Sequence, residues 1–110
     1  MKVTRLSDLS DLLGFMVLAC PDRFPKVGAY GEDNAANLEV AFERLRAGLT
    51  LLDGRLGPEM RRDVDSLAER AYEAYRRGDR KAGAHLLQDV EDIAFPKRFT
   101  EHAARKGDPL

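Results

Sequence analysis

The sequence predicts an all-α fold, namely an antiparallel four-helix bundle with a long loop between helices 1 and 2. Apolar residues recur at spacings of three and four in separate segments, as they do on one face of a helix. Pro and Gly residues stand between these segments, where helices end. A length of 110 residues suits one domain. We therefore expect one helical domain over residues 1–96, followed by a polar C-terminal tail, 97–110, with room for one short helical turn.

The first helix is predicted to begin at Ser7, with Ser7 or Ser10 as its N-cap. Leucines, a methionine and a valine form its apolar face, which Phe15 and Leu18 widen. A face of this width predicts burial on more than one side of the helix. Pro21 ends the helix, because the residue before a proline disfavours helical backbone angles.

The same N-terminal stretch also loosely resembles a bacterial lipoprotein signal, in which Cys20 would carry the lipid. Its apolar run is far shorter than the roughly 20 residues that span a bilayer. Asp8 and Asp11 also lie where a signal sequence is basic or neutral. We therefore interpret the stretch as the first helix of the bundle.

Residues 20–33, with the sequence CPDRFPKVGAYGED, form the longest irregular stretch. Its prolines and glycines disfavour a regular element. Connections in helical bundles usually take two to eight residues, so a loop of about 14 is long. Because long loops more often carry function, this loop is the first place to look for a binding site.

The second helix is the clearest element in the sequence. Asp33 or Asn34 caps it, and we expect it to run to about Asp53, with Gly54 as its stop. Its large apolar residues alternate steps of four and three, which predicts packing against near-antiparallel or parallel neighbours. This apolar seam comprises Leu38, Phe42, Leu45, Leu49, Leu52 and Leu56.

The third helix is predicted to begin at Pro58, with Met60 on its apolar face, and to end at Gly78. Asp79 then caps the fourth helix, which Pro96 closes. The connecting sequence, YEAYRRGDRKAGAHLL, resembles the helix pair of helical-repeat proteins, which place a small residue, an aromatic residue and a Gly-Asp turn at similar spacing. Repeat arrays need about three units, and the sequence has no second copy. The resemblance implies a tight helix pair only.

The charges of the chain nearly cancel, with 18 Lys and Arg against 19 Asp and Glu. General affinity for nucleic acid or for an anionic membrane needs a basic excess or a basic patch. We therefore expect no membrane partner, and nucleic acid is not the favoured partner. The single cysteine, Cys20, cannot form an intramolecular disulfide, which fits a reducing cytoplasm.

The sequence RRGDRK places one compact basic patch at the predicted turn between helices 3 and 4. Its cations are Arg76, Arg77, Arg80 and Lys81, which suit nucleic acid or an acidic partner. Acidic residues are interleaved with the arginines of helix 3, which favours a solvated, salt-bridged surface instead. A nucleic-acid-associated regulator that uses this turn is therefore the alternative function.

Few residues suggest catalysis or metal binding. Cys20 with His85 or His102 would supply a nucleophile and a base, but nothing local orients them. His85, Asp89 and Asp92 share one face of helix 4, whereas metal sites in bundles draw ligands from several helices. We predict no catalytic residue, no metal site and no cofactor. A small enzyme or metal-binding protein that uses Cys20 or His85 is a weaker alternative.

The loop supplies the candidate protein-binding residues, namely Arg23, Phe24, Lys26 and Tyr30. Aromatic and arginine side chains are favoured at protein interfaces. In the alternative interpretation, Phe24 and Tyr30 fold back and cover the end of the bundle. The leading hypothesis is a cytoplasmic, non-catalytic module that binds another protein as a regulator, adaptor or inhibitor. A homodimer sealed by the wide face of helix 1 is the alternative assembly.

Overall fold

The computed structural model describes residues 3–96, and this part of the chain is all-helical. The all-α class and the four helices predicted from the sequence are confirmed. The predicted tail, 97–110, lies outside the described residues. None of the helices within 3–96 is long and apolar enough to cross a membrane. The helices are α1 (Leu6–Ala19), α2 (Asn34–Leu49), α3 (Pro58–Arg76) and α4 (Arg80–Ala94), and a short 3₁₀ helix (Thr50–Leu52) follows α2.

The four helices enclose one hydrophobic core. Helix α1 contacts α2 and α4, and α3 contacts the same two helices from the other side. Every helix contributes fully buried side chains, among them Leu12, Phe42, Val64 and Leu87. This packing is that of a helical bundle, in which each apolar stripe is buried against its neighbours. The antiparallel direction of every neighbouring pair stays a prediction.

Helix α1 begins one residue earlier than predicted, and neither Ser7 nor Ser10 caps it. The Asp8 carboxylate instead accepts hydrogen bonds from the backbone N–H groups of Thr4 and Arg5, each at 3.1 Å. The bond from Thr4 is the main cause of a lowered pKa for the Asp8 carboxyl. The serine cap is wrong because an acid inside the first turn reaches back to the free amides.

Two side chains that were expected in the core are exposed. Leu18 is 75% exposed, because it shares with Asp11 and Gly14 the side of α1 that no other described element covers. Met60 is 46% exposed, since it lies in the first turn of α3 and the first buried residue of that helix is Val64. The wide apolar face of α1 is therefore buried only in part.

Helix α2 ends at Leu49 instead of about Asp53. In the 3₁₀ turn that follows, the Thr50 hydroxyl donates to the Ala47 carbonyl oxygen at 2.6 Å. A 3₁₀ turn is tighter than an α-helical one and commonly closes a helix. Leu56, the last residue of the predicted seam, therefore lies beyond the helix and is half-buried.

Helices α3 and α4 approach each other closely at one glycine. The turn between them places Gly78 at a φ of 85°, and the Asp79 carboxylate accepts from the Ala82 N–H at 3.1 Å. A Cβ on Gly83 would lie 2.6 Å from atoms of the Tyr75 ring. Only glycine leaves room for that ring, which agrees with the tight helix pair that the resemblance implied.

Candidate functional site

Loop 20–33 packs onto α1 through three aromatic side chains, here called the aromatic triad: Phe15, Phe24 and Tyr30. The ring centroids of Phe24 and Tyr30 are 5.1 Å apart, and each lies within 6.1 Å of the Phe15 centroid. These distances are typical of favourable aromatic contacts. Phe24 is 7% exposed and Tyr30 is half-buried. Phe24 thus belongs to the core and Tyr30 packs against it, whereas their place at the end of the bundle stays a prediction.

Two sets of hydrogen bonds fix the ends of the loop. Near its start, the Arg23 N–H donates to the Ala19 carbonyl oxygen at 2.7 Å. Near its end, the Gly31 N–H donates to Asn37 Oδ1, and Asn37 Nδ2 donates to the Gly31 carbonyl oxygen, both at 2.9 Å. Asn37 is 2% exposed, so this clamp is anchored in the interior of α2. Hydrogen bonds within the chain thus hold both ends of the loop, which lowers the entropic cost of binding a partner.

Each carboxylate of the loop already has a partner within the chain. Asp22 Oδ1 accepts from Arg80 Nη2 at 3.1 Å, and Glu32 lies 3.0 Å from Lys26 Nζ. Asp33 caps α2, since its Oδ1 accepts from the first backbone amides of that helix. The loop acids thus stabilise the fold and leave little negative charge uncompensated.

Two arginines beside the triad lack such partners. Arg23 is exposed and forms no ion pair with any residue of 3–96. Arg44 of α2 is half-buried, and its guanidinium carbon lies 5.6 Å from the Tyr30 ring centroid. This distance suits a cation–π contact, which holds the guanidinium in place without neutralising its charge. Arg44 too has no carboxylate partner in the described part of the chain.

Two exposed apolar side chains flank the triad. Val27 is 65% exposed, and its carbonyl oxygen accepts from the Tyr30 N–H at 3.1 Å. Leu18 lies three residues after Phe15, so the two are neighbours on the surface of α1. We call the exposed and half-buried residues around the triad the loop surface. It consists of Leu18, Arg23, Lys26, Val27 and Arg44.

Sequence reasoning found part of this surface. Of the four candidate residues, Arg23 and Lys26 are exposed, whereas Phe24 lies in the core and Tyr30 is half-buried against it. It missed the Asn37 clamp, although a signal exists: Asn37 stands four residues before the buried Ala41, on the apolar stripe of α2. No signal in the sequence pairs Arg44 with the loop.

The basic turn is partly neutralised by its surroundings. The Arg80 guanidinium is held by the loop, and Arg77 Nη2 lies 4.0 Å from Asp79 Oδ2. Arg76 lies over a tyrosine ring of its own helix, with its guanidinium carbon 5.6 Å from the ring centroid. Lys81 is exposed. Two of the four cations, Arg77 and Arg80, thus lie against carboxylates, so the turn offers phosphate groups less uncompensated charge than the sequence suggested.

The residues that suggested catalysis or metal binding are not brought together. Cys20 is fully buried, and burial raises the pKa of its thiol to about 12, so it stays protonated at neutral pH. His85, Asp89 and Asp92 are all exposed. Within 3–96 there is no group of three His, Cys, Asp or Glu residues placed to hold a metal ion. His102 lies outside the described residues.

An open cleft of about 670 Å³ lies between the start of the loop, the first turn of α2 and the end of α3. Tyr75, which lines it, is 2% exposed, and its hydroxyl has no hydrogen-bond partner in the described structure. Burial raises the pKa of that hydroxyl. Three carboxylates line the cleft, and each is engaged within the chain. They are Asp22, Asp33 and Glu39.

Comparison with protein-family models, with curated proteins and with solved structures finds no match for this chain. The candidate site is therefore assigned from the geometry of the loop surface, whose arginines and apolar side chains surround the aromatic triad.

Proposed function

We propose that the protein is a small non-catalytic module that binds another protein, as a regulator, adaptor or inhibitor, through its loop surface. One observation carries the proposal. The aromatic triad and the Asn37 clamp hold the loop in place, and the ordered loop keeps Val27 and Arg23 exposed. The cytoplasmic location expected from the lone cysteine belongs to the same proposal.

The physical case rests on the cost of the exposed groups. Exposure of a large apolar side chain to water is unfavourable, so a partner that buries it gains hydrophobic free energy on binding. Arginine is enriched at protein interfaces because its guanidinium binds carboxylates and stacks on rings. Since the loop is already ordered, binding loses less conformational entropy than the folding of a mobile segment would.

The homodimer and the nucleic-acid regulator are supported less well. Leu18 leaves part of α1 open to a second copy, but no observation places one there. The basic turn keeps fewer free cations than its sequence implies, because Arg77 and Arg80 lie against carboxylates. The loop surface therefore remains the leading candidate for binding.

The test is affinity capture from a lysate of the source organism with three tagged proteins: the natural chain, Val27→Asp and Met60→Asp. Both variants place a carboxylate at an exposed apolar position, so Met60→Asp is the matched control. We expect at least one protein to be retained by the natural chain and by Met60→Asp, and to be depleted about tenfold or more with Val27→Asp. Circular dichroism and urea unfolding establish that the variants are folded.

Equal retention by the two variants, or no specific protein with any of the three, contradicts the proposal. Light scattering of the purified chain tests the homodimer separately. A dimer that Val27→Asp or Leu18→Asp converts to monomer would assign the loop surface to self-association and so replace the proposed function.

A further inference from the structure

We propose that the partner presents an acidic segment to the loop surface, with carboxylate side chains beside an apolar one. This inference rests on the proposed function and names the chemistry of the partner. It follows from which charges near the triad are compensated within the chain and which are not.

The compensated charges are the acids of the loop. Asp22, Glu32 and Asp33 are held by Arg80, by Lys26 and by the amides of α2, respectively. A basic partner would meet carboxylates whose charge is already partly compensated within the chain. One exposed carboxylate near the triad has no ion pair in the described structure, namely that of Asp11, four residues before Phe15 on α1.

The uncompensated cations near the triad are two guanidinium groups. Arg23 directly precedes Phe24 in the loop, Arg44 of α2 lies over the Tyr30 ring, and neither has a carboxylate partner among residues 3–96. The Tyr30 ring positions Arg44, which reduces the entropy that the side chain loses when it binds a carboxylate. Because Arg44 is half-buried, a carboxylate there is less screened by water than at a fully exposed site.

The apolar part of the surface distinguishes a protein from a phosphate backbone. Val27 and Leu18 are the two most exposed large apolar side chains of the described structure. The Val27 carbonyl oxygen accepts from the Tyr30 N–H, and Leu18 lies three residues after Phe15 on α1. Phosphates gain nothing from such groups, whereas an aliphatic or aromatic side chain of a peptide is buried against them. An acidic peptide segment with an apolar side chain therefore fits both features.

The test uses a random peptide library displayed on phage and selected against the full chain. We expect the enriched peptides to carry net negative charge and an apolar residue. A synthetic peptide from the enriched set should bind at least about tenfold more weakly to the double variant Arg23→Glu/Arg44→Glu. Its affinity for the natural chain should also fall as salt rises, because added salt screens exposed charges.

The matched control is Arg62→Glu/Arg70→Glu. It makes the same change in net charge with two exposed arginines of α3 that have no ion pair in the described structure. Peptide affinity should be unchanged in this variant. Enriched peptides that are neutral or basic, no enrichment at all, or equal weakening by both double variants would overturn the inference.

The two proposals fail in different ways. If capture from lysate depends on Val27 but peptide affinity does not change in Arg23→Glu/Arg44→Glu, the loop surface binds a partner of another chemistry. If capture does not depend on Val27, the proposed function itself fails, whatever the peptides contain. Finally, a single-stranded oligonucleotide is tested in the same way. If it binds the natural chain and does not bind the variant Arg23→Glu/Arg44→Glu, the inference of an acidic peptide is overturned in favour of nucleic acid.

Discussion

Asn37 forms hydrogen bonds with both backbone groups of Gly31, accepting from the N–H and donating to the carbonyl oxygen, each at 2.9 Å. This pair joins the end of the loop to the interior of α2. Asn37→Ala should therefore lower the free energy of unfolding by about 1–3 kcal/mol, since each lost hydrogen bond contributes about 0.5–1.5 kcal/mol. Urea unfolding measures the change, and hydrogen exchange should show faster exchange of loop amides. The exposed Asn34 provides the control, and equal losses in Asn34→Ala would contradict the clamp.

Removal of the hydroxyl group from each of two tyrosines of α3 should change the free energy of unfolding in opposite directions. Tyr75 buries a hydroxyl without a described partner, so Tyr75→Phe should raise the free energy of unfolding by about 1 kcal/mol or more. The Tyr72 hydroxyl donates to Glu39 Oε2, so Tyr72→Phe should lower it by about 1.5–3 kcal/mol. Thermal and urea unfolding of both variants measure the difference. Destabilisation by Tyr75→Phe would show that its hydroxyl has a partner after all.

The close approach of α3 and α4 makes Gly83 sensitive to a single methyl group. Because a Cβ there would meet the Tyr75 ring at 2.6 Å, Gly83→Ala should lower the free energy of unfolding by about 1–3 kcal/mol. Gly14 lies in α1 with open space around it, so Gly14→Ala should raise stability by up to about 1 kcal/mol through helix propensity. Urea unfolding compares the two variants. If Gly83→Ala leaves the free energy of unfolding unchanged or raises it, the close contact between α3 and α4 at Gly83 is contradicted.

The buried Cys20 thiol should be chemically silent in the folded protein. Burial raises its pKa from the ordinary 9.0 to about 12, so iodoacetamide at neutral pH should modify it only through unfolding, and rapidly in urea. Mass spectrometry measures the rate, and fast labelling under native conditions would contradict the burial.

The same shift links stability to pH. Above about pH 9 the unfolded chain loses the thiol proton while the folded chain keeps it, so stability should fall between about pH 9 and pH 12. The raised pKa of Tyr75 acts in the same direction. Urea unfolding at several pH values measures the slope, and Cys20→Ala should reduce it. A slope that Cys20→Ala leaves unchanged would rule out this contribution.

Local signals in the sequence were enough for the helices. Apolar spacing located all four, and Asp33 and Asp79 cap α2 and α4 as expected. The serine cap is wrong because a serine N-cap accepts from amides two or three residues after it, whereas Asp8 accepts from those of Thr4 and Arg5 before the helix. Helix α2 ends early because a 3₁₀ turn follows it. The apolar residues keep their spacing through this turn, so the spacing does not show where the α-helix ends.

The site was less predictable because its contacts join distant parts of the chain. The composition and length of the loop indicate a candidate site, but the sequence does not distinguish the two interpretations of Phe24 and Tyr30. The contacts of both rings with Phe15 distinguish them. The place of Arg44 above Tyr30 depends on how α2 packs against the loop. The exposure of Leu18 likewise depends on which side of α1 its neighbours leave open. Sequence periodicity specifies none of these tertiary choices.

The most direct test of the central claim is site-specific photo-crosslinking in living cells of the source organism. A photoreactive amino acid replaces Val27 in one protein and Met60 in another, so that two exposed apolar positions are compared. If the loop surface binds a protein, position 27 should give a discrete cross-linked product with one other polypeptide, and position 60 should not. The same product from both positions, or none from position 27, would contradict the claim.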